Sequence, residues 1–276
     1  MVTIDYVKFD DVVHSITQAG EAKTKLSIRE ILIKSILSGA FLGFATTLAF
    51  TASVQTGLDI VGAIIFPTGF VMILLLNLEL VTGSFAIIPI ANFRKKVTTS
   101  SMFRNLSWAF FGNLLGSIFY ALLFAISVSK FGSSMDSPLI EKIISVASNK
   151  TLGYKSLGMS GLITMFVNAL LCNWMVTMGA VMNFTSKATI GKIAAMWMPV
   201  FIFFAQGFEH AVVNMFVIPA AMMLDANIGL NDWWLWNQIP VTIGNFISGF
   251  LFTGLALHLI AKRKNDTLSH MSLKND

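Results

Sequence analysis

Six segments of this chain, 31–53, 59–92, 105–128, 157–183, 193–223 and 238–261, are apolar on every helical face rather than along a single stripe. A helix of that kind lies in lipid or among other buried helices, and each segment reaches the roughly 20 residues that cross a bilayer. Only 12% of the residues are charged and 55% are hydrophobic, against roughly 25% charged in soluble domains. A water-soluble fold is therefore excluded. Residues 2–25 differ: Val2, Tyr6, Phe9, Val13 and Ile16 recur at helical spacing among polar and charged positions, which predicts an amphipathic helix lying on the membrane surface. This stretch has no signal-peptide core. The lone cysteine, Cys172, has no partner for a disulfide or a metal site and reads as a small buried residue.

Segments 59–92 and 193–223 are too long for one straight crossing. They also carry residues that a regular helix avoids: Pro67, Gly69, Thr82-Gly83 and Pro89 in the first, Pro199, Gln206-Gly207 and Pro219 in the second. Both are expected to be broken helices. Three spans per half bring the second half in from the opposite side, so the halves form inverted repeats with a broken helix in the middle of each triplet. In such folds the substrate path runs where the breaks meet. The expected fold is an all-α membrane protein of six transmembrane helices in a 3+3 inverted repeat, helices 2 and 5 broken. Its parts are a cytoplasmic amphipathic segment at 1–27, a transmembrane domain at 28–262 and a cytoplasmic tail at 263–276.

Lysines and arginines set the orientation. Lys23, Lys25, Arg29 and Lys34, then Arg94, Lys95, Lys96 and Arg104, then Lys187 and Lys192, then Lys262, Arg263 and Lys264 all fall on one side, which places both termini in the cytoplasm. The outer segment 129–156 departs from the rule with Lys130, Lys142, Lys150 and Lys155. Positive charge at an outer mouth concentrates anions, and Lys155 is the candidate for that role, with a plain solvated lysine as its alternative.

An ionisable group inside a span costs about 2.5–3.5 kcal/mol even on mild scales, so each one marks a site. Here they are Glu79 and the adjacent Glu209 and His210. A break frees backbone polar groups that lipid cannot satisfy, and Glu79, Glu209 and Asn214 suit bracing of the breaks. His210 differs, because an imidazole exchanges a proton near neutral pH.

Several motifs carry a resemblance to the formate/nitrite transporter family over about residues 26–262. They are Gly207-Phe208-Glu209-His210 with Asn214-Met215-Phe216, Leu171-Cys172-Asn173-Trp174, Glu79-Leu80-Val81-Thr82-Gly83, Phe111-Gly112-Asn113 and Pro240-Val241-Thr242-Ile243-Gly244-Asn245. The resemblance implies an aquaporin-like protomer, a pentamer with one pore per protomer, and transport of small monovalent anions such as nitrite, formate or hydrosulfide. It also implies that His210 is the pore histidine, with Asn173 and Thr82 as polar neighbours. Phe203 and Phe66 would form an outer apolar constriction, and Leu80 with Phe70 an inner one. Val81 stands where relatives can carry Phe, which bears on the inner gate.

A bare anion loses its hydration in an apolar ring, whereas a neutral acid does not. Protonation or strong polarisation of the anion by His210 would therefore ease its passage. Nitrite is placed slightly ahead of formate, with hydrosulfide and lactate-sized acids open, and transport is either channel-like or linked to protons. A neutral-solute channel of aquaporin type is the rival of similar architecture, although paired Asn-Pro-Ala signatures are absent. An enzyme is not expected: Ser160 lies 13 positions before Asn173, roughly 20 Å along a helix, too far from a mid-span His210 to form a protease pair. Paired axial histidines for haem are lacking. The reading calls for no cofactor, metal or nucleic acid. It expects a bacterial-type inner or plasma membrane. Gating by the N-terminal segment through His14 stands beside its reading as a surface anchor.

Overall fold

The computed structural model describes residues 5–261 and is all-helical. Val2 and the tail at 263–276, with its basic cluster, lie outside the described residues. The helices are α1 (Phe9–Lys25), α2 (Ile28–Thr56), α3 (Asp59–Leu75), α4 (Val81–Phe93), α5 (Thr99–Val128), α6 (Pro138–Ser148), α7 (Met159–Met182), α8 (Thr189–Ala205), α9 (Ala211–Met223) and α10 (Leu230–Ala261). Among the described residues α2, α5, α7 and α10 are long and apolar enough to cross a membrane, and α3, α4, α8 and α9 are shorter apolar helices.

Local chemistry sets the ends. Ser27 opens α2 with a reciprocal capping box: its hydroxyl accepts from the Glu30 N–H, and the Glu30 carboxylate accepts from the Ser27 N–H. Gly57 closes the helix in the left-handed region at φ 70°, a conformation that costs glycine little. Thr98 caps α5 through Ser101 N–H. The long helices α2, α5 and α10 start three to eight residues before the hydropathy pattern does, because polar turns extend them past the apolar stretch, whereas α7 starts two residues after it.

The breaks do not fall at the prolines. Pro89, Pro199 and Pro219 sit inside helices, and Pro67 occupies the first turn after a bend at Phe66, where its missing N–H costs nothing. The chain leaves helix between α3 and α4 and again between α8 and α9. There Asn77 (φ 50°) and Gly207 (φ 67°) hold left-handed conformations.

Each short helix that follows a break is buried in the opposite half of the molecule. Thus α4 packs against α7 and α10, and α9 against α5 and α2. On the other flank α4 meets α1 and α9 meets α6. This corrects one expectation: the apolar stripe of α1, with Val12, Val13 and Ile16, is buried against protein instead of resting on lipid. The α2–α5 pair packs at backbone distance, since a Cβ at Gly116 would collide with the Ile36 carbonyl and one at Gly39 with the Asn113 carbonyl.

Candidate functional site

Both breaks are built on the same framework. At the first, Asn113 of α5 accepts from Val81 N–H (2.9 Å) and donates to the carbonyls of Ser35 and Glu79 (2.9 Å each). At the second, Asn245 of α10 accepts from Ala211 N–H (2.9 Å) and donates to the carbonyls of Ala169 (2.8 Å) and Glu209 (3.0 Å). Each asparagine thereby satisfies an opening N–H of the short helix and a carbonyl of the break, groups a helix end otherwise leaves unpaired.

The carboxylates repeat as well. Glu79 pairs with Lys23 at 2.7 Å, and Glu209 with Lys150 at 2.9 Å. Both carboxylates are buried, where a charge is tolerated only when paired and hydrogen-bonded. Glu209 is the better satisfied. Its Oε1 also accepts from Tyr154 (3.0 Å), and its Oε2 from Asn214 (2.8 Å) and Asn237 (3.3 Å). Glu79 Oε2 has no hydrogen-bond partner.

His210 stands at the N-cap of α9, at the break itself. Its Nδ1 accepts from Val213 N–H at 3.0 Å, and its Nε2 lies 3.0 Å from Thr82 Oγ1 near the start of α4. With Nδ1 engaged as an acceptor, the neutral ring carries its proton on Nε2, the nitrogen that faces Thr82. The N-termini of α4 and α9, each with partial positive charge, therefore approach each other at this pair. Phe203 stacks on the imidazole with centroids 5.5 Å apart and planes at 17°.

A cavity of about 180 Å³ reaches His210 from one side, lined among others by Phe203, Phe204, Lys142 and Lys150. A smaller one of about 50 Å³, lined among others by Lys23, Asn77, Leu80, Ser84 and Ala180, lies on the other side of the breaks. Phe66 is buried edge-on against Phe203 (5.7 Å) and stacked on Phe204 (3.9 Å).

His210, Thr82, Phe203 and Phe66 thus come together, and Leu80 walls the smaller cavity. Phe70 is buried beside Gly179 and lines neither cavity. Asn173 donates to the carbonyls of Asn245 (2.6 Å) and Thr82 (3.3 Å), so it meets the backbone of His210's partner rather than the ring. Val81 lies elsewhere, in a lateral apolar groove with Phe85, Phe103 and Phe246. Lys155 pairs with Asp232 at 2.7 Å and lines neither cavity; Lys142 and Lys150 stand at the larger one instead. Successive residues of a helix point in different directions, so the loop charge alone could not say which lysine faces inward. Sequence reasoning also gave no role to Asn113, Asn245, Lys23 or Tyr154. A signal for the first two was present in the Gly-Asn pairs at Gly112-Asn113 and Gly244-Asn245, one in each half.

A family model described as formate/nitrite transporter matches residues 10–259. The chain is 33% identical to the uncharacterized transporter YrhG of Bacillus subtilis, over 94% of this chain and 95% of that protein. It is 31% identical to a probable formate transporter of Methanothermobacter thermautotrophicus, over 88% and 92%, and 26% identical to the formate channel FocA of Escherichia coli strain K12, over 90% and 92%. Among solved structures it resembles an FNT family ion channel (TM-score 0.76, 24% identity, 89% of this chain and 97% of that one). It also resembles a pentameric formate channel with formate bound (TM-score 0.69, 23% identity, 84% and 97%). These relatives are channels and transporters, not enzymes. With its apolar helices and a family match over nearly its whole length, the chain is an integral membrane protein of the formate/nitrite transporter family.

Proposed function

We infer that the protein is a pore for small monovalent anions, formate ahead of nitrite, with hydrosulfide and lactate-type acids behind them. Formate moves ahead because relatives similar over most of their length carry it in their names. The observation that carries the reading is the setting of His210: an imidazole at the wall of the larger cavity, its Nε2 turned to Thr82 where two helix N-termini approach, under the face of Phe203. Helix N-termini favour anions, and an Nε2–H donor between them compensates hydration lost at the apolar rings. Polarisation by a neutral ring is favoured over donation from a doubly protonated one. A proton on Nδ1 would face the Val213 N–H and forfeit the cap, a loss of about 1 kcal/mol.

In this reading α3–α4 and α8–α9 each complete one crossing as a broken helix, giving six spans in a 3+3 inverted repeat of aquaporin-like form. The matched braces at Asn113 and Asn245, and the matched pairs Lys23–Glu79 and Lys150–Glu209, support it. Phe203 and Phe66 form the outer constriction and Leu80 the inner one, backed by Phe70; Val81 stands outside both. Glu79, Glu209 and Asn214 brace the breaks, and Asn173 positions Thr82. The channel domain is 28–262, flanked by the segments 1–27 and 263–276 on the cytoplasmic side of a bacterial-type inner or plasma membrane. A pentamer is supported by the similar structure of that description and by large exposed side chains such as Phe44, Phe111 and Phe119, which call for lipid or a neighbouring copy.

The test is flux of formate, nitrite, hydrosulfide and lactate into proteoliposomes for the parent and His210→Phe. The parent is expected to pass formate, and His210→Phe to lose most of that flux while keeping its fold by circular dichroism. A His210→Phe variant as permeable as the parent defeats the role of the ring.

A further inference from the structure

The larger cavity holds a second cation that the pore reading leaves unused. Lys142, Val146 and Lys150 follow at four-residue spacing along α6 and its continuation, so they form one row, and all three line the cavity. The lysines are about 12 Å apart along the helix. Each is paired, but the pairs differ in kind. Lys150 meets Glu209 with side chains 15% and 1% exposed, and Tyr154, Asn214 and Asn237 also hold that carboxylate. Lys142 meets Asp59 at 2.7 Å with side chains 28% and 76% exposed. Among the described residues Lys142 alone hydrogen-bonds the Asp59 side chain.

An exposed pair is weak and screened by salt, and a small carboxylate from solution offers Lys142 the same two-oxygen group that Asp59 does. We propose that Lys142 is the capture site for the entering anion and that Asp59 is a tethered competitor that sets its affinity. The anion displaces Asp59 from Lys142 Nζ and moves along the α6 row toward Lys150 and His210. Lys150 cannot serve as the first station, because exchange there would strip a buried carboxylate of its counter-ion. The smaller cavity has no such device: the one lysine in its lining is Lys23, itself held by buried Glu79. Capture therefore acts only on anions arriving from the Lys142 side. The inference rests on the anion-pore reading above.

Initial rates of formate entry, measured from each side in proteoliposomes of uniform orientation, test it. Lys142→Gln is expected to raise the half-saturating formate concentration from the α6 side about two- to five-fold, the worth of an exposed ion pair. Asp59→Asn lowers it by a similar factor, the double variant behaves as Lys142→Gln, and the shifts shrink at high salt. Entry from the opposite side is unchanged. Equal shifts from both sides, or none in Asp59→Asn, overturn the proposal. A readout independent of transport is the NMR signal of Lys142 in detergent-solubilised protein with 13C-dimethylated lysines, assigned by its loss in Lys142→Gln. Formate is expected to shift that signal, and at lower concentration in Asp59→Asn; a signal indifferent to formate overturns capture whatever the flux. Parent liposomes that pass no formate while the signal titrates would instead refute the pore.

Discussion

Asn113 and Asn245 hold the breaks with a single amide each, and the amide's two ends make that possible: one oxygen for a helix-opening N–H, one NH₂ for two carbonyls. Asn245→Ala strands Ala211 N–H and the Glu209 carbonyl in the interior and removes a second bond to the Ala169 carbonyl, which stays paired within its helix. Each unmade buried group costs about 1–3 kcal/mol, so a loss of several kcal/mol is expected, read as a marked drop in thermal midpoint in detergent. Asn173→Ala should cost less. It removes two donated bonds but also a buried Oδ1 that has no partner. A smaller drop for Asn245→Ala than for Asn173→Ala would contradict the brace.

Between elements, small residues decide which helices touch. Gly116→Ala drives a methyl group into the Ile36 backbone across the α2–α5 contact, where no side chain can yield. Overpacking of that kind costs about 1–3 kcal/mol, and thermal unfolding should report it. Gly83→Ala is the contrast, since its nearest neighbour would be Ala180 Cβ at 3.6 Å, an ordinary contact, and helix propensity favours alanine by about 1 kcal/mol. Its midpoint should equal or exceed the parent's. The amphipathic helices α1 and α6 are walls of the two cavities, and each supplies or leads directly to the lysine that neutralises a break carboxylate.

Across the whole molecule, the first described residues tie back to the link between α7 and α8. Asp5 accepts from Ser186 Oγ (2.7 Å to Oδ2) and from the Lys187 and Ala188 N–H groups (2.7 Å each), and Val7 N–H bonds the Thr185 carbonyl at 2.9 Å. The Ser186 hydroxyl first, then the Ala188 amide, hold the Asp5 carboxyl below its usual 3.8. A carboxyl lowered in the folded state contributes its attachment fully above the unfolded value and loses it as pH falls through the folded one. The clasp should therefore stay closed between about pH 5 and 8. Hydrogen exchange of residues 183–188, corrected for intrinsic rates, should be unchanged across that window in the parent and faster throughout in Asp5→Asn. Any response of the N-terminal segment near pH 6 must then arise elsewhere than at Asp5.

The amino-acid sequence alone determined that this chain lives in a membrane, that stretches 59–92 and 193–223 are irregular, and that Glu79, Glu209 and His210 stand out as ionisable groups within them. Those are properties of hydropathy and of rare polar residues in apolar surroundings, where the cost of burial makes each one conspicuous. Tertiary structure alone decided the partners. Lys23 reaches Glu79 across 56 positions and Lys150 reaches Glu209 across 59, and a lysine outside the apolar segments carries no local mark of which carboxylate it will neutralise. The same holds for Lys142, at the cavity, and Lys155, away from it: both stand between the third and fourth apolar segments in sequence, and only the packing of α6 against α9 sets which one lines the cavity.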